Sequence, residues 1–321
     1  MPKISVLIPA YNAMNYLPET IENVLSQTFT DFEVIVVNDG SADETERWVS
    51  QIKDPRVKLI TQENQGLAGA RNTGIAHAKG EYITFLDADD LWEPTKLEKQ
   101  LRVMEENPEV ALVYTWVAFI DEMGKPTGRV FKNQAEGDVW QKLTEHNIVE
   151  SGSVAMVRRS CFEDIGLFDR NLGSYLEDWD MWLRIASRYS FKVVKEPLVY
   201  YRQLSGSASR NWEAMARSFE IVIEKAFSAA PSELQYLKNR SYGFANICLA
   251  WKALQSQAQD WKSAANFRAK ALAYYPWICF SQEFMRLSIA ITLMSWFGTE
   301  GYKIFLSYVY NLRQRIVAIA R

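Results

Sequence analysis

The chain has 321 residues, 48% of them apolar and 23% charged, with a net charge of −3. That balance predicts a globular protein with a substantial core and argues against general nucleic-acid binding. Cys161, Cys248 and Cys279 are widely spaced and form no C-x-x-C pair, which argues against a disulfide framework or a zinc site and points to a reducing compartment. The charge is uneven. Residues 202–321 carry 15 Lys/Arg and 7 Asp/Glu, whereas residues 1–201 carry 21 and 32, so the two parts are expected to meet different partners.

The N-terminus runs directly into a strand, Ile4 to Ile8, and no signal peptide is read there. Leu17, Ile21, Val24 and Leu25 have helical spacing, with Pro18 and Glu19 in the first turn. Val34–Val37 predicts a second strand, ending in the turn Asn38-Asp39-Gly40-Ser41. A helix over about Asp43–Ile52, a strand Val57–Ile60, a helix Gly66–Ala78 and a strand Tyr82–Leu86 follow. This alternation predicts an α/β protein with a mostly parallel sheet and helices on both faces. Gly66, Gly69 and Gly74 match no Walker motif and suit close helix packing.

After Pro94 a helix reaches about Glu106 and a strand runs over Ala111–Trp116. Asp121–Gly137 reads as a loop or hairpin, and Arg158–Gly166 and Asp178–Tyr189 as helices. Phe191–Val194 and Leu198–Tyr201, on either side of Pro197, suggest short edge strands. From Trp212 the pattern is helical, with breaks at Pro231, Asp260, Pro276 and Gly298. Ala264, Ala271 and Pro276 fit the end of one tetratricopeptide-like helix pair, too little for a solenoid. Leu287–Phe297 is apolar but too short to span a bilayer. The expected division is 1–205, an α/β domain, and 206–321, a helical extension.

The most informative stretch is Tyr82 to Asp90, an apolar run that ends in three carboxylates, Asp87, Asp89 and Asp90. In open α/β sheets the carboxyl ends of strands bind ligands. A D-x-D there can hold a divalent cation, and the cation a diphosphate. Polar groups gather in the same way at Pro9-Ala10-Tyr11-Asn12, at Asn38–Ser41 and at Asn64–Asn72, and Glu177-Asp178-Trp179-Asp180 precedes an apolar helix.

With these motifs in this order, the first 205 or so residues resemble a family 2 glycosyltransferase of the GT-A fold, inverting in mechanism. The matching text is Ser5–Asn12, Val37–Ser41, Asn64–Asn72, Asp87–Asp90 and Glu177–Arg184. The resemblance implies metal-dependent transfer of a sugar from a nucleotide-sugar, expected to be a UDP-sugar, to a hydroxyl of a saccharide, lipid-linked or protein acceptor in polysaccharide or glycolipid synthesis. It implies donor contacts from Pro9, Ala10, Tyr11, Asp39, Arg71, Asp87 and Ala88. It implies Asp89 as the ligand of Mn2+ or Mg2+, and Asp178 as the general base that takes the acceptor proton. Glu177, Trp179 and Asp180 fall to the acceptor side. Arg202 and Ser205 belong to a flap in which Leu204 stands where relatives often carry His, while Gly206 and the serines suit a mobile loop.

Blander readings stand beside these. Asp87, Asp89 and Asp90 also suit a solvated turn capping the next helix, and Asp39 a cap after Ser41. Tyr11 suits core packing as well as base stacking. Asp178 and Asp180 suit the positive end of a helix, Trp179 and Trp182 suit the core, and His77 and His146 suit the surface. A nucleotidyltransferase is the alternative enzyme, although no Gly-rich loop follows Ile8. An inactive GT-A-fold binding protein is the alternative outside enzymes. In the tail, Tyr302, Phe305, Leu306, Val309, Leu312, Ile316 and Ile319 recur at helical spacing, with Lys303, Arg313, Arg315 and Arg321 near them. That stripe suits either an anionic membrane surface or packing on the catalytic domain or a second copy of the chain. The expected location is the cytoplasm, peripheral on the inner membrane face if the stripe binds lipid.

Overall fold

A computed structural model describes residues 1–172, 174–204, 211–256 and 259–319, with side chains for all of these except 299–300, 303 and 305–319. The chain divides into two compact units, Met1–Ala208 with Glu224–Ala230, and Ser209–Ile223 with Pro231–Arg321.

The first unit opens with β1 (Ile4–Ala10), α1 (Leu17–Leu25), β2 (Phe32–Asp39), α2 (Thr45–Ser50), β3 (Val57–Gln62), α3 (Gly66–His77) and β4 (Tyr82–Phe85). It continues through β5 (Leu91–Trp92), α4 (Lys96–Glu106), β6 (Val110–Ile120), β7 (Pro126–Phe131), α5 (Trp140–Leu143), β8 (Met156–Arg158), α6 (Cys161–Ile165), α7 (Glu177–Ala186) and β9 (Ser190–Arg202). The strands form one sheet in the order β3-β2-β1-β4-β8-β6-β9-β5, with β7 on β6. The stretch β3-β2-β1-β4 is wholly parallel. Its inner strands β1, β2 and β4 are buried on both faces, as crossover connections require, whereas the edge strand β3 is partly exposed. Beyond β4 the sheet is mixed: β8 runs antiparallel to β4 and to β6, while β9 is parallel to β6.

This topology creates the site. Parallel β1, β2 and β4 finish on the same side, so the motifs after Ala10, Asp39 and Phe85 emerge together. α3 packs over β1 and β2, and a Cβ on Gly74 would lie 3.1 Å from Leu7, the close helix packing expected of that glycine.

Two local expectations need correction. Pro197 does not divide two edge strands. β9 runs through it as a single strand between β6 and β5. The pairing register shifts opposite Trp116, where Pro197 sits, and such an irregularity tolerates a residue without an N–H. Arg158 closes the short strand β8, and the helix read from there begins at Cys161. The loop or hairpin read over 121–137 is the β6–β7 pairing.

The tail forms α8 (Trp212–Ser228), α9 (Leu237–Gln255), α10 (Trp261–Tyr274), a 3-10 turn Pro276–Phe280 and α11 (Gln282–Ile319). The breaks fall where the sequence has them. Asp260 caps α10 by accepting from Ser263 N, and Gly298 kinks α11 at φ 67°. α9 and α10 pack as a pair over buried Ala264 and Ala271. Among the described residues no helix is long and apolar enough to cross a membrane.

Candidate active site

The β1–α1 and β2–α2 loops are stitched together by backbone amides. Asn12, at φ 47°, donates its N–H to Ser41 Oγ at 2.9 Å and accepts from Ala42 N at 2.8 Å. Beside them, Pro9 is half-buried, Ala10 is buried and Tyr11 is 56% exposed, so the Tyr11 ring is not core. Asp39 closes β2 with a buried carboxylate. Its Oδ1 accepts from Gln62 Nε2 at 2.6 Å and from Gln65 N at 2.8 Å. The capping turn considered for Asp39 is made by Asn38, whose Oδ1 accepts from Ser41 N at 3.1 Å. Gly40, at φ 73°, lets that turn pass close to Asn64, where a Cβ would meet the amide at 2.9 Å.

After β4 the chain turns through Asp87, Ala88 and Asp89, all half-buried, to a buried Asp90. The turn is tightly braced. Thr20 Oγ1 donates to the carbonyls of Ala88 and Asp90, at 3.0 and 3.1 Å. Ser153 Oγ accepts from Asp87 N at 3.0 Å and donates to Asp90 Oδ2 at 2.6 Å. Arg202 N donates to Asp90 Oδ1 at 3.0 Å. Burial and the nearby charges of Asp89 and Asp87 push the Asp90 carboxyl well above the usual range. Burial and the Asp87 charge push Asp89 up to about 6. No side chain among the described residues donates to the Asp89 carboxylate.

Arg71 on α3 joins this turn to the start of α7. It is 2% exposed. Its Nη2 donates to Asp87 Oδ1 at 2.8 Å and its Nη1 to Glu177 Oε1 at 2.6 Å. The rings of Phe85 and Phe168 flank the guanidinium at 5.8 and 5.5 Å. Gly152 makes room for it, since a Cβ there would stand 2.5 Å from Nη2. Arg71 therefore lies behind the carboxylates in the floor of the site, rather than presenting its guanidinium to a base or diphosphate.

α7 begins after Leu176, which holds φ at 63° and sets Glu177 and Asp178 in the first turn. Glu177 is buried. Burial and the charges of Asp178 and Asp87, against the pull of Arg71, raise its carboxyl to about 7. Asp178 is half-buried and also raised, chiefly by burial. Its Oδ1 accepts from Trp179 N at 2.7 Å and its Oδ2 from Asn147 Nδ2 at 3.3 Å.

Several acceptor-side expectations do not hold. Trp179 is core, as its alternative reading had it, 1% exposed, with its indole N–H on Leu143 O at 2.8 Å. Asp180 is buried and committed to Arg184 and Lys225, at 2.8 and 3.0 Å. Arg202 is a buried brace. Its Nε donates to Asp89 O at 2.8 Å, Nη1 to Glu122 O at 3.1 Å and Nη2 to Glu19 at 2.7 Å, so three of its five N–H groups are spent on bracing and the side chain is almost wholly buried. Ser205 and the rest of the flap through Ser209 lie outside the described residues. Asn147, Gly152, Ser153 and Thr20 escaped the sequence reading. They are small residues with no motif of their own, and only the fold brings them to the carboxylates.

The profile described as Glycosyl transferase family 2 matches residues 5–166, half of the chain and all of the strand-end motifs up to β8. The chain belongs to glycosyltransferase family 2. An uncharacterized glycosyltransferase of Rickettsia typhi is 34% identical over 224 residues, 66% of this chain and 69% of that protein. Two solved structures share the fold. A mannosyltransferase from Pyrobaculum calidifontis, in complex with GDP-Man and Mn2+, aligns over 93% of this chain and 88% of its own at TM-score 0.59 and 19% identity. Residues 1–349 of S. aureus TarS, in complex with UDP-GlcNAc, align over 85% and 89% at TM-score 0.53 and 19% identity. The GT-A fold expected of family 2 is thus the fold found, and this member of family 2 is a glycosyltransferase.

Proposed function

We propose that the first unit carries out inverting, metal-dependent transfer from a nucleotide-sugar, in the first place a UDP-sugar, to a hydroxyl of a saccharide, lipid-linked or protein acceptor. The observation that carries this reading is the Arg71 bridge, which joins the donor-side turn at Asp87 to the Glu177–Asp178 pair. Three carboxylates surround one guanidinium, so the cluster retains a proton near neutral pH, and Glu177 is the group raised to about 7. Asp178 is half-buried and made more basic chiefly by burial, the properties of a general base for a weakly acidic alcohol. Attack on the anomeric carbon from the face opposite the leaving diphosphate inverts its configuration and needs no protein nucleophile.

Asp89 suits a divalent cation. Its carboxylate is raised by burial and by the Asp87 charge and has no side-chain donor among the described residues, so a positive charge there relieves the pressure that raises it. Among the described residues no group of three ligating side chains gathers. Such a site fits Mn2+ or Mg2+ held by one carboxylate, diphosphate and water. Bound there, the ion would supply neutralisation of charge on the departing diphosphate. Ser153, Thr20 and Arg202 fix the turn that carries Asp89. On the donor side, Asp39 Oδ2, which accepts from no side chain or amide among the described residues, can take a base N–H, and exposed Tyr11 can stack. The two fold neighbours, one with UDP-GlcNAc and one with GDP-Man, support nucleotide-sugars as the donor class.

The test is nucleotide release from a panel of UDP-, dTDP- and GDP-sugars with and without a chelator, followed by the anomeric configuration of the product by NMR. Chelator-insensitive release refutes the metal, faster release from GDP-sugars refutes the uridine donor, and a retained anomer refutes single displacement.

A further inference from the structure

The C-terminal unit exposes an aromatic face that its own packing does not use. α11 buries Phe284, Leu287, Ala290, Ile291 and Met294. Its outward side carries Met285, Ile289 and Trp296, spaced four and seven residues apart on one line of the helix, with Phe297 beside them, all exposed. The preceding turn adds Trp277 and Phe280, 69% and 74% exposed, their rings 6.1 Å apart. A shallow groove of about 310 Å³ follows the same side of α11, between Ile289 and Phe297. Large exposed apolar patches of this kind mark interaction surfaces.

Charge selects the partner. Residues 231–321 carry eleven Lys/Arg against four Asp/Glu, and beyond Glu300 stand Lys303, Arg313, Arg315 and Arg321 with no acid. A two-fold contact with a second copy would set this positive unit against itself. An anionic lipid surface complements it, and Trp and Phe settle at the headgroup boundary. We propose that the exposed side chains Trp277, Phe280, Ile289, Trp296 and Phe297 of this unit seat this glycosyltransferase peripherally on an anionic bilayer. This contact lies at residues 277–297 and is separate from the one expected of the stripe 302–319. Tyr302 is half-buried, and the other stripe side chains lie outside the described residues. The catalytic assignments play no part in this inference.

The test is flotation of the full chain with phosphatidylglycerol-containing and pure phosphatidylcholine vesicles at low salt, alongside sedimentation of the protein alone. The full chain should float with the anionic vesicles and be released by salt. Trp277→Ser with Trp296→Ser and Phe297→Ser should weaken partitioning at least about tenfold while circular dichroism and nucleotide release stay unchanged. Arg313→Gln with Arg315→Gln should cost about fivefold per charge on anionic vesicles alone. A full chain that stays unbound on anionic vesicles at low salt overturns the proposal. So does a wild-type dimer that the triple substitution dissociates, because the face then belongs to a second copy.

Discussion

Replacing Arg71 with Met removes the cation that bridges Asp87 and Glu177 while keeping a long side chain in the space between Phe85 and Phe168. Removing one partner of a buried ion pair costs about 3–5 kcal/mol, because the other charge stays buried and uncompensated. Against a total stability on the order of 5–15 kcal/mol, the variant should fold but marginally. The loss should depend on pH. Glu177 is raised to about 7 with Arg71 present, and without the guanidinium it rises further. A carboxyl raised in the folded state binds protons that the unfolded chain releases, so its contribution to stability is present at low pH and lost as pH climbs through the folded value. In the wild type that loss is nearly complete by pH 8, whereas in the variant it continues beyond. The destabilisation should therefore be larger at pH 8 than at pH 6, by roughly 1–1.5 kcal/mol. Urea unfolding followed by far-UV circular dichroism at both pH values measures it. A cost below about 1 kcal/mol, or equal costs at the two pH values, would refute the shared-charge account of the cluster.

Three further substitutions probe the site. Asp178→Asn should lower transfer by about two to four orders of magnitude with donor affinity near wild type, and an ordinary transfer rate would remove Asp178 from the role of base. Asp89→Ala should abolish the gain in UDP affinity that Mn2+ provides, and calorimetry showing that gain intact would move the cation elsewhere. Ser153→Ala strips the hydroxyl shared by Asp87 N and Asp90 Oδ2 and leaves a buried acceptor unpaired, so stability should fall by about 1–3 kcal/mol and UDP affinity in Mn2+ should fall with it. Unchanged UDP affinity would confine Ser153 to folding.

The strand-end motifs were legible as residues because local chemistry writes them. Apolar runs such as Val34–Val37 and Tyr82–Leu86 demand burial, and clustered carboxylates after such a run demand a partner. Proline, glycine and an N-capping Asp likewise marked every break of the helical tail, since each acts on its own few residues. What the sequence by itself could not assign was which polar side chains face outward. Arg71, Arg202, Asp180 and Trp179 all sit inside convincing motifs, yet each is buried. Their partners, among them Asp87, Glu19, Lys225 and the Leu143 carbonyl, are distant in the chain, and the tertiary structure alone brings them within hydrogen-bond reach. Asn147 and Ser153 show the converse. Neither belongs to a pattern, and both touch the candidate machinery because β8 returns antiparallel beside β4. Periodicity and composition report what a residue needs, burial or a partner. Which partner meets that need is a long-range matter, decided when the mixed half of the sheet closes beside its parallel half.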